Sequence, residues 1–204
     1  RLVAKLDWAD SLMQDNRAWA LLPRRERKPV ILVTDGNLFL QKVFEASPLV
    51  NLSVVREPPA HVPAGTVAVF HRKVPSQLPA GSVLVIEPAE SCDLWEVGEK
   101  LENPIVTKQD KDSPLMAHVR LDNVLLPEAR KLTPQGKTLT LAQSITGDPL
   151  YLTIDRPAGK LLVLTVNIEQ GDLPLRTAFP IMMTNALGWF AGTKGDLRES
   201  LATG

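Results

Sequence analysis

Four short apolar runs in the first half of the chain limit the possible folds more than any other feature. Each is rich in Val, Ile or Leu and is shorter than an ordinary helix, which is typical of strands buried on both faces of a sheet. The four runs are PVILVTD (29–35), NLSVVRE (51–57), TVAVFHR (66–72) and SVLVIEPA (82–89). The first is followed by NLFLQKVFEASP, which has apolar residues at helical spacing. This order predicts an α/β domain with a mostly parallel sheet flanked by helices.

The segments between these runs and the rest of the sheet are less regular. Residues 58–81 are rich in proline and glycine around the third run, so we expect one crossover to be a loop. LWEVGEKL (94–101) predicts a short helix, and NPIVTKQDKDSP (103–114) predicts an exposed loop. HVRLDNVLLPEARKLTP (118–134) is mixed and predicts a short strand with a turn.

Three further strands are predicted near the end of the domain. Their sequences are KTLTLAQS (137–144), PLYLTIDRP (149–157) and GKLLVLTVNIE (159–169). The last two are joined at RPAGK, where proline and glycine favour a turn.

The stretch QGDLPLRTAFPIMMTNALGWFAG (170–192) has the apolar content of a membrane segment. Only eight residues separate Arg176 from Asn185, whereas a helix that crosses a bilayer needs roughly 20 mostly apolar residues. An apolar stripe at spacings of three and four residues instead predicts a buried core helix. The stripe consists of Phe179, Met182 or Met183, Ala186 and Phe190. Thr177 is the candidate cap at the start of this helix.

The two ends of the chain differ from the α/β domain, which we place at residues 29–192. Residues 1–28 contain RLVAKLD and AWALLP, which alternate apolar and polar residues and predict a β-hairpin. Because a lone hairpin is marginally stable, we expect it to pack on the domain or to end an upstream β-domain. For PRRERK we favour a solvated linker over a binding patch, and residues 193–204 form a polar tail. Since the chain begins at Arg1 and not at methionine, we expect a segment of a longer protein.

Charge and composition exclude several classes of function. Lys plus Arg and Asp plus Glu each number 23, so the charge balance predicts no nucleic-acid partner. A single cysteine excludes an internal disulfide framework and a cysteine-based zinc site. The three histidines, at positions 61, 71 and 118, are too scattered to predict a metal cluster.

Several segments together resemble one family. They are DNRAWALLP, GNLFL, VLVIEP, PLYLTIDRPAGKLLVLTVNIE and, most specifically, DLPLRTAFPIMMTNALGWF. Over most of its length the chain is similar to the class I glutamine-amidotransferase-like domain of large bacterial membrane-anchored proteins. Those proteins are related to the Bat-type aerotolerance regulators and also contain a von Willebrand factor A domain. The resemblance implies a flavodoxin-like sheet for residues 29–192, with the membrane helices and the von Willebrand factor A domain outside this segment.

The amidotransferase reaction requires a cysteine on a sharp turn after a strand and a histidine that activates it. The two candidate strand ends, in TVAVFHR and SVLVIEPAE, contain no cysteine. Cys92 follows Glu87 and Glu90 in an acidic stretch, which would raise the pKa of its thiol. No H-x-E pair lies near the carboxyl end of the domain. The sequence therefore predicts a structural thiol and assigns no catalytic residue.

Five residues at the predicted strand ends are weak candidates for a pocket, because open α/β sheets bind ligands at this edge. They are Asp35, Gly36, Asn37, His71 and Glu87. For the first three we favour an ordinary turn in which Asn or Asp caps the next helix. For His71, which adjoins Arg72 and Lys73, we favour a solvated loop tip over an anion site. Neither G-x-G-x-x-G nor a Walker loop is present, and we predict no cofactor.

Two functional hypotheses follow from these observations. The first is a non-catalytic scaffold or protein-interaction domain that has lost the amidotransferase machinery. The second is a hydrolase with an atypical site around Asp35, His71 and Glu87, which requires these side chains to converge in one pocket. We favour the first, and with it a protein partner, no nucleic acid and no membrane insertion by this segment. An unpaired edge of the amino-terminal hairpin allows a homodimer, and the sequence alone leaves the compartment open.

Overall fold

The computed structural model of this protein describes residues 2–7, 16–20 and 27–192. Its strands are β1 (Leu2–Lys5), β2 (Arg17–Ala20), β3 (Lys28–Val33), β4 (Val50–Val55), β5 (Val67–His71), β6 (Ser82–Ile86), β7 (Trp95–Glu102), β8 (Val106–Gln109), β9 (Glu128–Pro134), β10 (Thr138–Ser144), β11 (Pro149–Ile154) and β12 (Leu161–Leu164). Its α-helices are α1 (Leu38–Glu45) and α2 (Ala178–Ala191). Two single 3₁₀ turns are formed by Pro114–Met116 and Leu173–Leu175.

The central sheet contains eight strands in the order β4-β3-β5-β6-β12-β11-β10-β8. The first five of these are parallel to one another. Numbered along the chain, these five strands have the order 2-1-3-4-5, which is one of the two common doubly wound orders. β11, β10 and β8 extend the sheet with antiparallel pairs. The predicted α/β fold with a mostly parallel sheet is therefore confirmed.

The two faces of the sheet are covered in different ways. Successive residues of a strand point to opposite faces, so Leu32 lies on one face of β3 and Val33 on the other. Leu32 belongs to a core cluster that includes Phe44 of α1 and Phe179 of α2. Val33 belongs to a second cluster, which includes Trp95 of β7. In the described chain both α-helices therefore pack on the same face, so the predicted flanking of the sheet by helices applies to that face alone.

The second face is covered by loops and by a small antiparallel sheet of β7 and β9. The connections after β4 and β5, residues 56–66 and 72–81, contain no helix. Both are rich in proline, which removes backbone donors and disfavours helix. Two crossovers are thus loops, where the sequence predicted one.

The segment 94–101 is a strand and not the predicted short helix. Val97 and Leu101 are four residues apart, a spacing that fits one helical face as well as a strand. In the structure β7 pairs with β9, with an irregularity in register between Val97 and Lys100. Trp95 is fully buried against the sheet, so long-range packing decides the conformation. The predicted exposed loop at 103–114 likewise contains a strand, β8, which pairs with β10.

The stretch 170–192 contains α2, which is a core helix as predicted. Its buried residues are Ala178, Phe179, Met182, Met183, Ala186 and Phe190. Thr177 has helical backbone angles and its side chain makes no capping hydrogen bond, so the predicted cap is wrong. Within the described part of the chain, no helix combines the length and the apolar character that crossing a membrane requires.

The predicted amino-terminal hairpin is present as the antiparallel pair β1 and β2. Its apolar side chains Val3 and Trp19 are each more than half exposed, at 56% and 54%. Packing of the hairpin on an upstream β-domain stays a prediction. Most of PRRERK and the tail 193–204 lie outside the described residues.

Candidate functional site at the carboxyl edge of the sheet

A small concavity lies where the carboxyl ends of β3 and β5 meet. After β3 the chain turns to β4 on one side, while β5 lies on the other side of β3. Such a reversal of strand order leaves a crevice at the carboxyl edge, where ligands of open α/β sheets bind. The cavity has a volume of about 140 Å³. Its lining residues are Thr34, Asp35, Gly36, His71, Arg72 and Glu169.

The turn after β3 is organised by two polar side chains. The hydroxyl oxygen of Thr34 accepts hydrogen bonds from the backbone N–H groups of Gly36 and Asn37, at 3.3 and 3.1 Å. Gly36 has a φ of 128°, which L residues rarely adopt. Asn37 Oδ1 accepts from the Leu40 N–H at 2.9 Å and caps α1. The predicted capping role of Asn37 is therefore confirmed, and its side chain does not line the cavity.

His71 is buried, with 4% of its surface exposed, so the predicted solvated loop tip is wrong. It ends β5, which lies between β3 and β6 in the middle of the parallel strands. Its Nδ1 lies 3.1 Å from the Thr34 hydroxyl oxygen. Because that oxygen already accepts two backbone N–H groups, its own hydrogen is the one that is free to point to Nδ1. The neutral ring then carries its proton on Nε2.

The Nε2 atom of His71 has no hydrogen-bond partner among the described residues. The closest carboxylate oxygen, Glu87 Oε2, lies 3.7 Å away, which is too far for a direct hydrogen bond. His71 and Glu87 therefore converge, but a gap remains between them.

Arg72 connects the ends of three parallel strands. Its Nε and Nη2 donate to the two carboxylate oxygens of Glu87 at 3.0 and 3.2 Å, a bidentate pair. Its Nη1 lies 3.0 Å from Glu169, which follows β12, and Glu169 also accepts from the Asn37 amide at 3.2 Å. Burial opposes the charge on Arg72, but the two carboxylates outweigh it and raise the pKa of its guanidinium. We call Arg72, Glu87 and Glu169 the carboxyl-edge ion cluster.

Both strand ends in this cluster have unusual backbone conformations. Arg72 has a φ of 65° and Glu87 a φ of 52°, in the left-handed region that residues other than glycine seldom occupy. Each residue therefore lies on a sharp turn directly after a buried strand. Such conformations cost about 1–3 kcal/mol each and persist only where the surrounding structure holds them.

Asp35 lies at the rim of the cavity, and its side chain is 70% exposed. Lys73 lies 2.9 Å from Asp35 and 2.9 Å from Glu57. The hydrogen bond from Lys73 lowers the pKa of Asp35, and the two carboxylates raise the pKa of Lys73. The Asp35 carboxylate at the rim of the cavity is thus already paired with Lys73.

The structure brings all five predicted pocket residues to this edge. Asp35, Gly36 and His71 line the cavity, Glu87 is buried beside it, and Asn37 contacts Glu169 of its lining. Sequence reasoning missed Thr34 and Glu169. Both follow the carboxyl end of a parallel strand, and that shared position is the signal by which they could have been found.

Cys92 lies outside this cavity. It forms an isolated bridge with Trp95, and its sulfur accepts the Leu94 N–H at 3.4 Å. Burial is the largest cause that raises the pKa of its thiol above the ordinary value. In the described ranges 2–7, 16–20 and 27–192, no group of three or more His, Cys, Asp or Glu side chains could hold a metal ion.

Known structures share this fold at low sequence identity. No family model matches the chain, and no curated protein matches it. A cytoplasmic protein of Salmonella typhimurium superposes with a TM-score of 0.60 at 11% identity, covering 79% of this chain and 98% of that one. A ThuA-like protein of Bacteroides uniformis gives 0.59 at 12% identity, with coverages of 86% and 95%.

A third similar structure, assigned as a GMP synthase component, comes from Thermoplasma acidophilum. It has a TM-score of 0.52 at 11% identity, covering 82% of this chain and 96% of that one. The chain therefore has the fold of class I glutamine-amidotransferase-like and ThuA-like proteins. At these identities the similarity concerns the fold alone.

Proposed function

We propose that this chain is a non-catalytic scaffold or protein-interaction domain that keeps the amidotransferase-like fold without its chemistry. We further propose that it is a segment of a larger membrane-anchored protein of the Bat-related type, which also contains a von Willebrand factor A domain. The segment DLPLRTAFPIMMTNALGWF (172–190) supports this second proposal by resemblance.

The observation that carries the proposal is the chemistry of the two sharp strand ends. An amidotransferase nucleophile needs such a turn, where the thiol is exposed and ionised. Here the turns hold Arg72 and Glu87, which form a bidentate ion pair with each other. The side chain of Glu87 is only 4% exposed. The Glu87 carboxylate is paired and buried, so it is not free to attack a substrate, and the Arg72 guanidinium is not a nucleophile.

The histidine geometry also disfavours acid–base catalysis of the usual kind. A general base must have an unprotonated nitrogen that faces the substrate. In His71 the nitrogen nearest to Glu87 is Nε2, and the hydrogen bond between Nδ1 and the Thr34 hydroxyl favours the tautomer with the proton on Nε2. A neutral His71 in this tautomer can donate a hydrogen bond from Nε2, but it has no unprotonated nitrogen free to accept a proton from a substrate.

The experiment that tests the absence of a nucleophile is the rate of Cys92 alkylation against pH, read by intact mass. Because burial raises the pKa of this thiol, we expect slow labelling at neutral pH and a rate that rises only above pH ~8.5. The same chain unfolded in urea is the control and should label fast. Fast labelling of the folded chain at neutral pH, together with hydrolysis of glutamine, would contradict the proposal.

The alternative is a hydrolase with an atypical site at the strand ends. It is favoured by one observation, the convergence of His71, Glu87 and Asp35 around a cavity of about 140 Å³. Hydrolysis of an ester or amide panel by the wild-type chain, abolished in His71→Gln, would establish this function. The absence of turnover in both chains would support the non-catalytic proposal.

A further inference from the structure

A larger cavity lies at the opposite edge of the sheet. It has a volume of about 390 Å³ and borders the turn between β11 and β12 and the end of α2. Because Lys160 directly precedes β12, the cavity lies at the amino edge of the parallel strands. The residues that matter here are Ile154, Asp155, Arg156, Lys160, Leu161 and Trp189. We call them the amino-edge groove.

The turn that carries the two cations is held in one conformation by close backbone packing. Gly81 donates its N–H to the Ala158 carbonyl at 2.7 Å, and Val83 donates to the Lys160 carbonyl at 2.9 Å. Gly159 has a φ of 131°, and a Cβ added there would lie 2.3 Å from the Gly81 carbonyl oxygen. Only glycine fits this contact, so Arg156 and Lys160 project from a fixed backbone.

Arg156 and Lys160 form no ion pair within the described chain. Arg156 Nη2 donates to the Gly81 carbonyl at 3.0 Å, while its buried Nε has no hydrogen-bond partner in the described residues. Burial lowers the pKa of its guanidinium, and Asp93 opposes that effect only through its charge. Arg156 therefore has donors without a matching anion.

Lys160 is placed by Trp189. Its ammonium lies 4.9 Å from the centroid of the Trp189 ring, within the range of a cation–π contact. It also donates to the Trp189 carbonyl oxygen near the end of α2. The acidic residue that lines the groove, Asp155, is 70% exposed and lies 3.9 Å from Lys137. Two cations and an indole thus share one groove with no carboxylate of the described chain paired to either cation.

We propose that the amino-edge groove binds an acidic segment of a partner protein. Carboxylates of that segment pair with Arg156 and Lys160, and one of its apolar side chains lies against the partly exposed ring of Trp189. Charge complementarity supports this occupant, because the two cations in the groove lack anions within the described chain while the wall beside them is apolar. A lone inorganic anion would leave that wall uncovered. The inference deepens the proposed interaction function and rests on it.

The test is fluorescence anisotropy with the whole 204-residue chain and two fluorescein-labelled peptides. One peptide alternates glutamate with leucine and phenylalanine, and the other has glutamine in place of each glutamate. We expect the glutamate peptide to bind at least about tenfold more tightly, since charge-assisted hydrogen bonds contribute more than neutral ones.

Arg156→Gln and Lys160→Gln should each weaken binding of the glutamate peptide by about tenfold or more. Lys111→Gln is the matched control, because it removes one exposed cation from a loop that does not line the groove. It should leave binding unchanged. Arg156→Lys keeps the charge and should retain most of the binding. If Arg156→Lys binds and Arg156→Gln does not, the loss of binding comes from the lost charge and not from misfolding.

Three outcomes would overturn the proposal. They are no binding of the glutamate peptide, equal weakening by Lys111→Gln, and full competition by inorganic phosphate at equal concentration. The last would identify a site for small anions. Slow labelling of Cys92 combined with no peptide binding would remove the acidic partner and leave the non-catalytic proposal in place. Fast labelling of Cys92 combined with specific peptide binding would remove the non-catalytic proposal and leave the acidic partner in place.

Discussion

The two edges of the central sheet both contain an arginine that follows a strand of the sheet, but the two arginines differ in their partners. At the carboxyl edge, Arg72 contacts Glu87 at 3.0 Å and Glu169 at 3.0 Å. At the amino edge, Arg156 contacts a backbone carbonyl, and no carboxylate of the described chain pairs with it. One edge neutralises its charges internally, and the other leaves them available to a ligand.

The paired charges at the carboxyl edge relate to the stability of the fold, whereas the cations at the amino edge relate to the proposed recognition of a partner. A buried carboxylate such as Glu87 must be paired, because an isolated buried charge is very unfavourable. The carboxyl-edge ion cluster therefore supplies the partner that the buried Glu87 carboxylate requires. A partly exposed cation such as Lys160 has no such requirement, so its lack of an anion within the described chain is the basis on which we proposed the amino-edge groove as a binding surface.

The largest effect should come from breaking the carboxyl-edge ion cluster. In Arg72→Leu the buried Glu87 carboxylate loses its bidentate partner, and we expect a loss of about 3 kcal/mol or more in the free energy of unfolding. Urea unfolding followed by far-UV circular dichroism measures it. The double variant Arg72→Leu with Glu87→Gln should recover part of the loss, since no buried charge is left unpaired.

Lys73→Leu is the control for that variant, because Lys73 pairs only with Asp35 and Glu57 in the described chain, and these are 70% and 77% exposed. Exposed ion pairs contribute little to stability, so the free energy of unfolding should hardly change in Lys73→Leu. If Arg72→Leu and Lys73→Leu destabilise the chain equally, the carboxyl-edge ion cluster does not have the structural role described above.

A smaller but clear effect should come from the turn that supports the amino-edge groove. Gly159→Ala adds a Cβ that would lie 2.3 Å from the Gly81 carbonyl oxygen and requires a φ of 131°. Because of the clash and the strained backbone together, we expect the free energy of unfolding to fall by about 2–3 kcal/mol. Urea unfolding measures this change. Binding of the glutamate peptide should weaken as well.

Gly136→Ala is the matched control for this prediction. Gly136 also has a positive φ, 97°, but open space surrounds its would-be Cβ. Only the backbone strain of about 1–2 kcal/mol should then appear. Equal losses for the two variants would mean that the contact between Gly159 and Gly81 has no special role.

The smallest effect concerns the exposed rim of the carboxyl edge. The hydrogen bond from Lys73 holds the pKa of Asp35 below its ordinary value of 3.8. A depressed carboxyl pKa stabilises the fold above the unfolded value and loses that contribution as pH falls through the folded value. The stability difference between wild type and Asp35→Asn should therefore be greatest at neutral pH and should decrease as the pH falls below 3.8 and through the lower folded pKa of Asp35.

Urea unfolding at neutral pH and at about pH 3 checks this sign. Because the pair is exposed, added salt should reduce the difference at neutral pH. A difference that grows as the pH falls would contradict the assignment of the Asp35 and Lys73 pair.

The local parts of the candidate site could be predicted from the sequence. Asn37 follows a buried strand and precedes a helical pattern, so its capping role was visible. His71 and Glu87 were found because each ends an apolar run. Their burial was not visible, since it depends on β5 and β6 lying in the middle of the sheet.

By itself, the sequence determined the strands that lie in strongly apolar runs, both α-helices and the absence of a cysteine at the strand ends. These features depend on hydrophobic periodicity and turn residues, which act over a few positions. The tertiary structure decided that 94–101 is a strand, that both helices pack on one face, and which charges meet.

The pairing of Asn37 with Glu169 joins residues 132 positions apart, and that of Arg156 with Gly81 joins residues 75 apart. Strand order creates such contacts, and strand order is a property of the whole packed chain. No local pattern contains strand order, which is why Arg72 and Arg156 look alike in the sequence although their partners differ.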